Sequence, residues 1–300
     1  MRLIKPSFEI VEQGYTIDCI YKHIELAGRT CYKSEDKITE TSAKEFVDRM
    51  IKSGHGAMLE HGTVYLIIPY KASYRNSYNE EWIRLYTLYS NNSYSKCNPN
   101  KDWDKFYVTT NFRVLVENNR LEDLQYICEP TEYHEKRYTV KFTCDRGVSH
   151  EFVRHRVMSF AQESTRYCNY SKDKFGNEIT YILPCWMDEL QVGSFNSVEI
   201  VEQAQNVNEF DCTNEELSEI YFMECLAKAE LNYDNLIRLG CKPQQARAVL
   251  PNSLKTELVM TGFASDWNHF FNLRTPQNAH PQARELAIPL KEEFLKRGYI

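Results

Sequence analysis

Residues 138–166 read YTVKFTCDRGVSHEFVRHRVMSFAQESTR. The opening alternates: Tyr138, Val140, Phe142 and Cys144 fall on one side, and Thr139, Lys141 and Thr143 on the other. That period of two marks a half-buried strand. Asp145-Arg146-Gly147 then turns the chain, and Ser149 is placed to cap a short helix. The helix delivers Arg154-His155-Arg156, with Ser164 after seven further residues and Arg166 beyond it. Three guanidiniums, an imidazole and a hydroxyl are thereby concentrated in one short stretch. Arginine forks at this density suit phosphates and the carbonyl edges of bases.

Working outward, Thr63–Ile68 closed by Pro69, Ile179–Leu183 closed by Pro184, and Leu254–Met260 carry further strand signals. Ile17, Ile20, Ile24 and Leu26 recur at helical spacing over 16–27, with Gly28 as the expected C-cap. Ser42-Ala43-Lys44-Glu45 reads as a capping box before Phe46, Val47, Met50 and Ile51, and Gly54 ends that helix. Asn111–Glu117 and Leu121–Tyr126 read as helical. Thr213-Asn214-Glu215-Glu216 is a second capping box, opening a long helix to Leu239. Pro243 suits the first turn of a helix to Leu250, Phe263–Leu273 forms another, and Pro281–Lys296 closes the chain with a kink at Pro289. Residues 70–105 read as an irregular insertion holding a short helix near Glu80–Leu88. Strands and helices follow no βαβ rhythm. The expectation is one α+β domain over 1–300, a mixed or antiparallel sheet flanked by long helices.

A net charge of −6 argues against a general nucleic-acid binder, while leaving room for a small basic pocket. No run of apolar residues reaches membrane-spanning length, and the first residues lack the apolar run of a signal peptide, so the reading is cytoplasmic. None of the ten cysteines forms a C-x-x-C pair, which favours free thiols in a reducing setting. His150-Glu151 with His155 is one residue too long for a zinc helix, and no metal is expected. Cys185 has no neighbouring base and reads as a structural thiol. The 11 glycines form no phosphate-cradling loop, so a nucleotide would be held by side chains and helix ends. Arg154, Arg156, Arg166, Arg247 and Arg274 are the candidates, most of them beside apolar runs. His61, taken by itself, reads as a structural histidine.

These stretches together resemble the flavin-dependent thymidylate synthases. The resemblance is carried by Arg154-His155-Arg156-x7-Ser164 and by Thr165-Arg166-Tyr167. Supporting it are Ala27–Tyr32, Leu59–Thr63, Tyr107–Arg113, His150–Val153, Ala246–Pro251, Met260–Gly262 and His269–Arg274. It implies a homotetramer with active sites shared between subunits. The implied reactants are FAD, NADPH, methylenetetrahydrofolate and dUMP, giving dTMP. On the matching positions it implies that His61, Thr63, Arg154, His155, Arg156 and Gln162 contact the flavin. Glu151, Arg154, Gln162, Glu163, Ser164, Thr165, Arg166, Arg247 and Arg274 would contact the nucleotide, with Arg274 polarising the uracil. For His61 this replaces the structural reading. The chain departs from the family pattern at Phe263-Ala264-Ser265, at Ala279-His280-Pro281-Gln282 and at His269, which would serve as a ring contact. Two other readings stay open: a flavin-dependent uracil methyltransferase acting on RNA, and a nucleotide-binding module without catalysis, with the Tyr-rich 70–105 segment stacking bases.

Overall fold

The computed structural model describes residues 1–69, 80–100, 105–166, 168–170, 178–187 and 189–300, without the side chains of 80–82. Tyr167 and parts of the expected insertion, 70–79 and 101–104, lie outside the described residues. In chain order the elements begin with β1 (Arg2–Ile4), β2 (Ser7–Val11), α1 (Ile17–Tyr32), α2 (Ser42–Lys52), α3 (Gly56–Leu59), β3 (Thr63–Pro69) and α4 (Glu80–Ser90). Next are β4 (Lys96–Pro99), β5 (Lys105–Asn111), α5 (Phe112–Glu117), β6 (Arg137–Asp145), α6 (Arg146–Phe152), β7 (Ser159–Gln162), β8 (Thr180–Ile182) and β9 (Gly193–Ser194). The chain finishes with α7 (Ser197–Gln205), α8 (Asn214–Arg238), α9 (Pro243–Ala246), β10 (Lys255–Phe263), α10 (Ala264–Arg274) and α11 (Pro281–Lys296).

The alternating stretch is β6, at the heart of a four-stranded sheet of order β2-β6-β10-β7 in which every pair is antiparallel. Its two faces have separate partners. Val140, Phe142 and Cys144, with Leu258 and Met260 of β10, pack against Trp267, Phe270 and Phe271 of α10 and Leu286, Leu290 and Phe294 of α11. Each of these large apolar side chains contributes about 2–3 kcal/mol when fully buried. On the other face, Val259 and Ala161 join the core built by α1, α2, β3 and β5. The remaining sheets are β3-β5-β4, antiparallel, and β8-β1-β9, in which β1 and β8 run parallel. The long helix α8 covers the last of these through Leu226, Ala227 and Tyr233. The architecture is therefore mixed helix and sheet, mainly antiparallel.

Four local expectations are corrected. Helix α1 passes through Gly28 and ends at Lys33, whose φ of 47° closes the helix by bonding Arg29 and Thr30 carbonyls. Gly28 is there for packing: a Cβ would sit 2.4 Å from Phe46 Cζ. Ser42 caps nothing in α2; its hydroxyl accepts from Thr39 N and donates to Glu25 Oε2 at 2.8 Å. Asp145, not Ser149, caps α6, accepting from Val148 N at 2.7 Å, because a carboxylate three residues earlier has already met the free amide. The insertion is more regular than expected: beyond α4, near its expected place, it holds β4, paired with β5 over Lys96–Pro99. The capping box at Thr213 and Glu216 does form, and the ten cysteines stand as free thiols.

Candidate active site

The strand-to-helix turn at Asp145 fixes where the arginine cluster emerges. Helix α6 is short, and past its end the chain reverses into β7 at Val157, whose φ of 77° is strained for a β-branched residue. The reversal leaves Arg154 and Arg156 exposed and turns the His155 ring inward, to 5% exposure.

Arg274, in the last turn of α10, reaches this turn and is gripped at three points. Its Nη1 pairs with Glu151 Oε2, its Nη2 donates to the Glu151 carbonyl at 2.8 Å, and its Nε donates to His155 Nε2 at 3.0 Å. Burial, together with the charges of Arg274 and His269, lowers the His155 imidazole to about 4. The ring is therefore neutral near pH 7, accepting at Nε2 with its proton on Nδ1, a buried atom that has no hydrogen-bond partner among the described residues. His269 stands beside it, ring centroids 5.9 Å apart. A guanidinium offers five N–H groups; three are spent here, and two remain for a ligand oxygen.

A second group lies past β7. Arg247 Nη1 donates to Thr165 Oγ1 at 2.9 Å, and Ser164 N donates to Cys31 O at 3.0 Å, pinning the loop to the end of α1. Arg166 is exposed in the same loop. Gln162 ties the two groups together: its amide donates to Ser149 Oγ of α6 at 2.8 Å and to Thr256 Oγ1 of β10 at 3.3 Å.

Three of the expected contact residues, Glu163, His61 and Thr63, are buried and bonded within the chain. Glu163 is buried, paired with Lys255 at 2.8 Å and accepting from Tyr170 at 3.2 Å. His61 is fully enclosed, its Nδ1 2.8 Å from Thr261 Oγ1. That hydroxyl meets Thr139 Oγ1 at 2.7 Å, and the Thr139 hydroxyl in turn meets His23 Nε2 at 2.9 Å. Burial, with the neighbouring charges of His23 and Arg137, lowers His61 to about 3; burial, with Arg137, lowers His23 to about 4. Thr63 is buried and accepts from Arg137 Nη1 at 3.2 Å. Arg137 itself escaped sequence reading. Its signal was present, since Arg137 and Thr139 share the strand face opposite Val140 and Phe142.

The family of thymidylate synthase complementing proteins matches residues 130–297, more than half of the chain. That span holds every candidate residue except His61 and Thr63. The flavin-dependent thymidylate synthase of Pyrococcus furiosus is 27% identical over 157 residues, covering 52% of this chain and 53% of that protein. The chain thus spans about half the length of that relative. The protein of the same name from Corynebacterium aurimucosum is 24% identical over 268 residues, 88% of this chain and 72% of that one. Among solved structures, the UMP/dUMP methylase PolB of Streptomyces cacaoi, bound with 5-Br dUMP, aligns over 99% of this chain and 93% of its own, with 17% identity and a TM-score of 0.41.

Proposed function

The chain belongs to the family of thymidylate synthase complementing proteins, and on that premise we propose that it is a flavin-dependent thymidylate synthase. The reaction converts dUMP, methylenetetrahydrofolate, NADPH and a proton to dTMP, tetrahydrofolate and NADP⁺. The observation that carries the reading is Arg274 held rigid by Glu151 and His155 beside the exposed Arg154 and Arg156. In this reading Arg247, Arg166, Ser164 and Thr165 bind the nucleotide phosphate, charge-assisted and partly desolvated. The two free N–H groups of Arg274 receive a uracil carbonyl oxygen and stabilise negative charge on the ring. Glu151 and the neutral His155 keep that guanidinium from turning away.

The donors fit a flavin: two exposed guanidiniums suit its phosphates, and the unpartnered Nδ1–H of His155 suits a ring acceptor. Arg154, His155 and Arg156, with Gln162 and His269, would hold FAD. His61 and Thr63, enclosed in the core, would support that pocket from behind. A bound flavin, reduced by NADPH, supplies the hydride. Ser164 has no carboxylate-oriented base in hydrogen-bond reach among the described residues, which supports ligand binding over covalent attack. The assembly proposed is a homotetramer with shared sites, in the cytoplasm.

Tritium release from C5-labelled dUMP tests the reading, with FAD, NADPH and the folate present. Wild type is expected to release label and Arg274→Ala almost none. Release from RNA uracil but not from dUMP, or no release from either, would overturn it.

A further inference from the structure

We propose a second ligand site, away from the arginine cluster, for a planar molecule presenting an amide edge, a C=O beside an N–H. A concavity of about 390 Å³ lies between the loop after α4 and the start of α5, walled by Asn91, Asn92, Tyr94, Asn111, Arg113 and Glu60 among others. That volume suits a single heterocyclic ring system.

One wall residue carries a buried donor with nothing to bond among the described residues. Asn111 is 1% exposed, and its Nδ2 has no hydrogen-bond partner among the described residues. Its orientation is fixed, because Oδ1 accepts from Val114 N at 3.0 Å as the cap of α5. A swap of the amide's oxygen and nitrogen would break that cap, so the NH2 group must face away from it. A buried amide left unpaired is destabilising, and a ligand carbonyl would recover the lost bond.

Acceptors stand in the same wall. Glu60 pairs with Arg113 at 2.6 Å, and Arg113 Nε donates to Glu117 at 2.7 Å. One guanidinium against two carboxylates leaves the wall net negative, which disfavours phosphates and carboxylates. Donor and acceptor together complement an amide edge, as found on a nucleobase, a pterin or a ring carboxamide. Tyr94, 38% exposed, offers a ring at the rim.

Titration of the full-length protein with nicotinamide, 6,7-dimethylpterin and acetophenone, read by ligand-observed NMR, tests the site. At least one of the first two is expected to bind, with acetophenone, which lacks the N–H, about tenfold weaker or worse. Asn111→Asp keeps the cap and removes both donors, so it is expected to weaken the bound probe about tenfold while leaving dUMP affinity unchanged. Should that variant fail to fold, Tyr94→Ala is expected to weaken the same probe several-fold. Absence of binding at millimolar probe, equal binding of acetophenone, or undiminished affinity in the Asn111 and Tyr94 variants would overturn the proposal and leave the concavity to water.

Discussion

Glu257 of β10 sits among three lysines, 2.7 Å from Lys33, 2.8 Å from Lys141 and 3.0 Å from Lys255. Its side chain is 13% exposed. Burial alone would raise its carboxyl; Lys255 and Lys33, with hydrogen bonds from Lys141 and Lys33, overcome that and bring it from 4.5 to about 2. A depressed carboxylate contributes stability that is present above its unfolded value and is lost as pH falls through the folded one. The gap from 4.5 to about 2 corresponds to about 3 kcal/mol. Glu257→Gln keeps the volume and removes the charge, so at pH 7 it is expected to lower unfolding free energy by about 3 kcal/mol. Near pH 3 the wild-type carboxyl has lost roughly half of that advantage, and the difference between the proteins should halve. Urea unfolding of both, followed by circular dichroism at the two pH values, reads this directly. Lys255 also holds Glu163, so the variant should loosen the Ser164 loop and weaken dUMP binding in parallel. A difference below about 1 kcal/mol at pH 7, or one that does not change with pH, would refute the argument that the lysines hold this carboxylate in its charged form.

Gly28→Ala gains about 1 kcal/mol of helix propensity but drives a methyl into Phe46, an overpacking cost of about 1–3 kcal/mol; a net loss is expected in urea titration, relieved in part by adding Phe46→Leu. Ser164→Ala is expected to raise the dUMP dissociation constant while leaving measurable turnover at saturating dUMP; complete loss of chemistry would make Ser164 a reactant. His23, His61 and His155 are all lowered from 6.5, so the unfolded chain binds protons first as pH falls. Stability should therefore decline from about pH 6.5 to pH 4, and His23→Gln should flatten that decline in thermal melts, a pH-independent difference counting against it.

The resemblance named at the outset reached the candidate site because its residues cluster in sequence: Glu151 through Arg166 lie on one turn and one loop. It also assigned Arg274, more than a hundred residues away, to the same ligand. It did not reveal that Arg274 is already engaged by Glu151 and His155, since such an engagement is a contact between α6 and α10 that no local pattern encodes. The short strands β1, β2, β7 and β9 were equally invisible. Each holds two to five residues, too few to express a period, and exists because a neighbouring strand supplies its partners.

What the chain determined by itself was local: the alternation that makes β6, the capping box of α8, the extents of α10 and α11, and the crowding of cations after α6. These follow from nearest-neighbour geometry and from where apolar surface must go. Tertiary packing alone decided why Gly28 has no side chain and that Glu163, His61 and Thr63 lie buried within the chain. Hydrogen bonds and close contacts between residues distant in sequence exist only after the elements have docked, and their energies then override local preference.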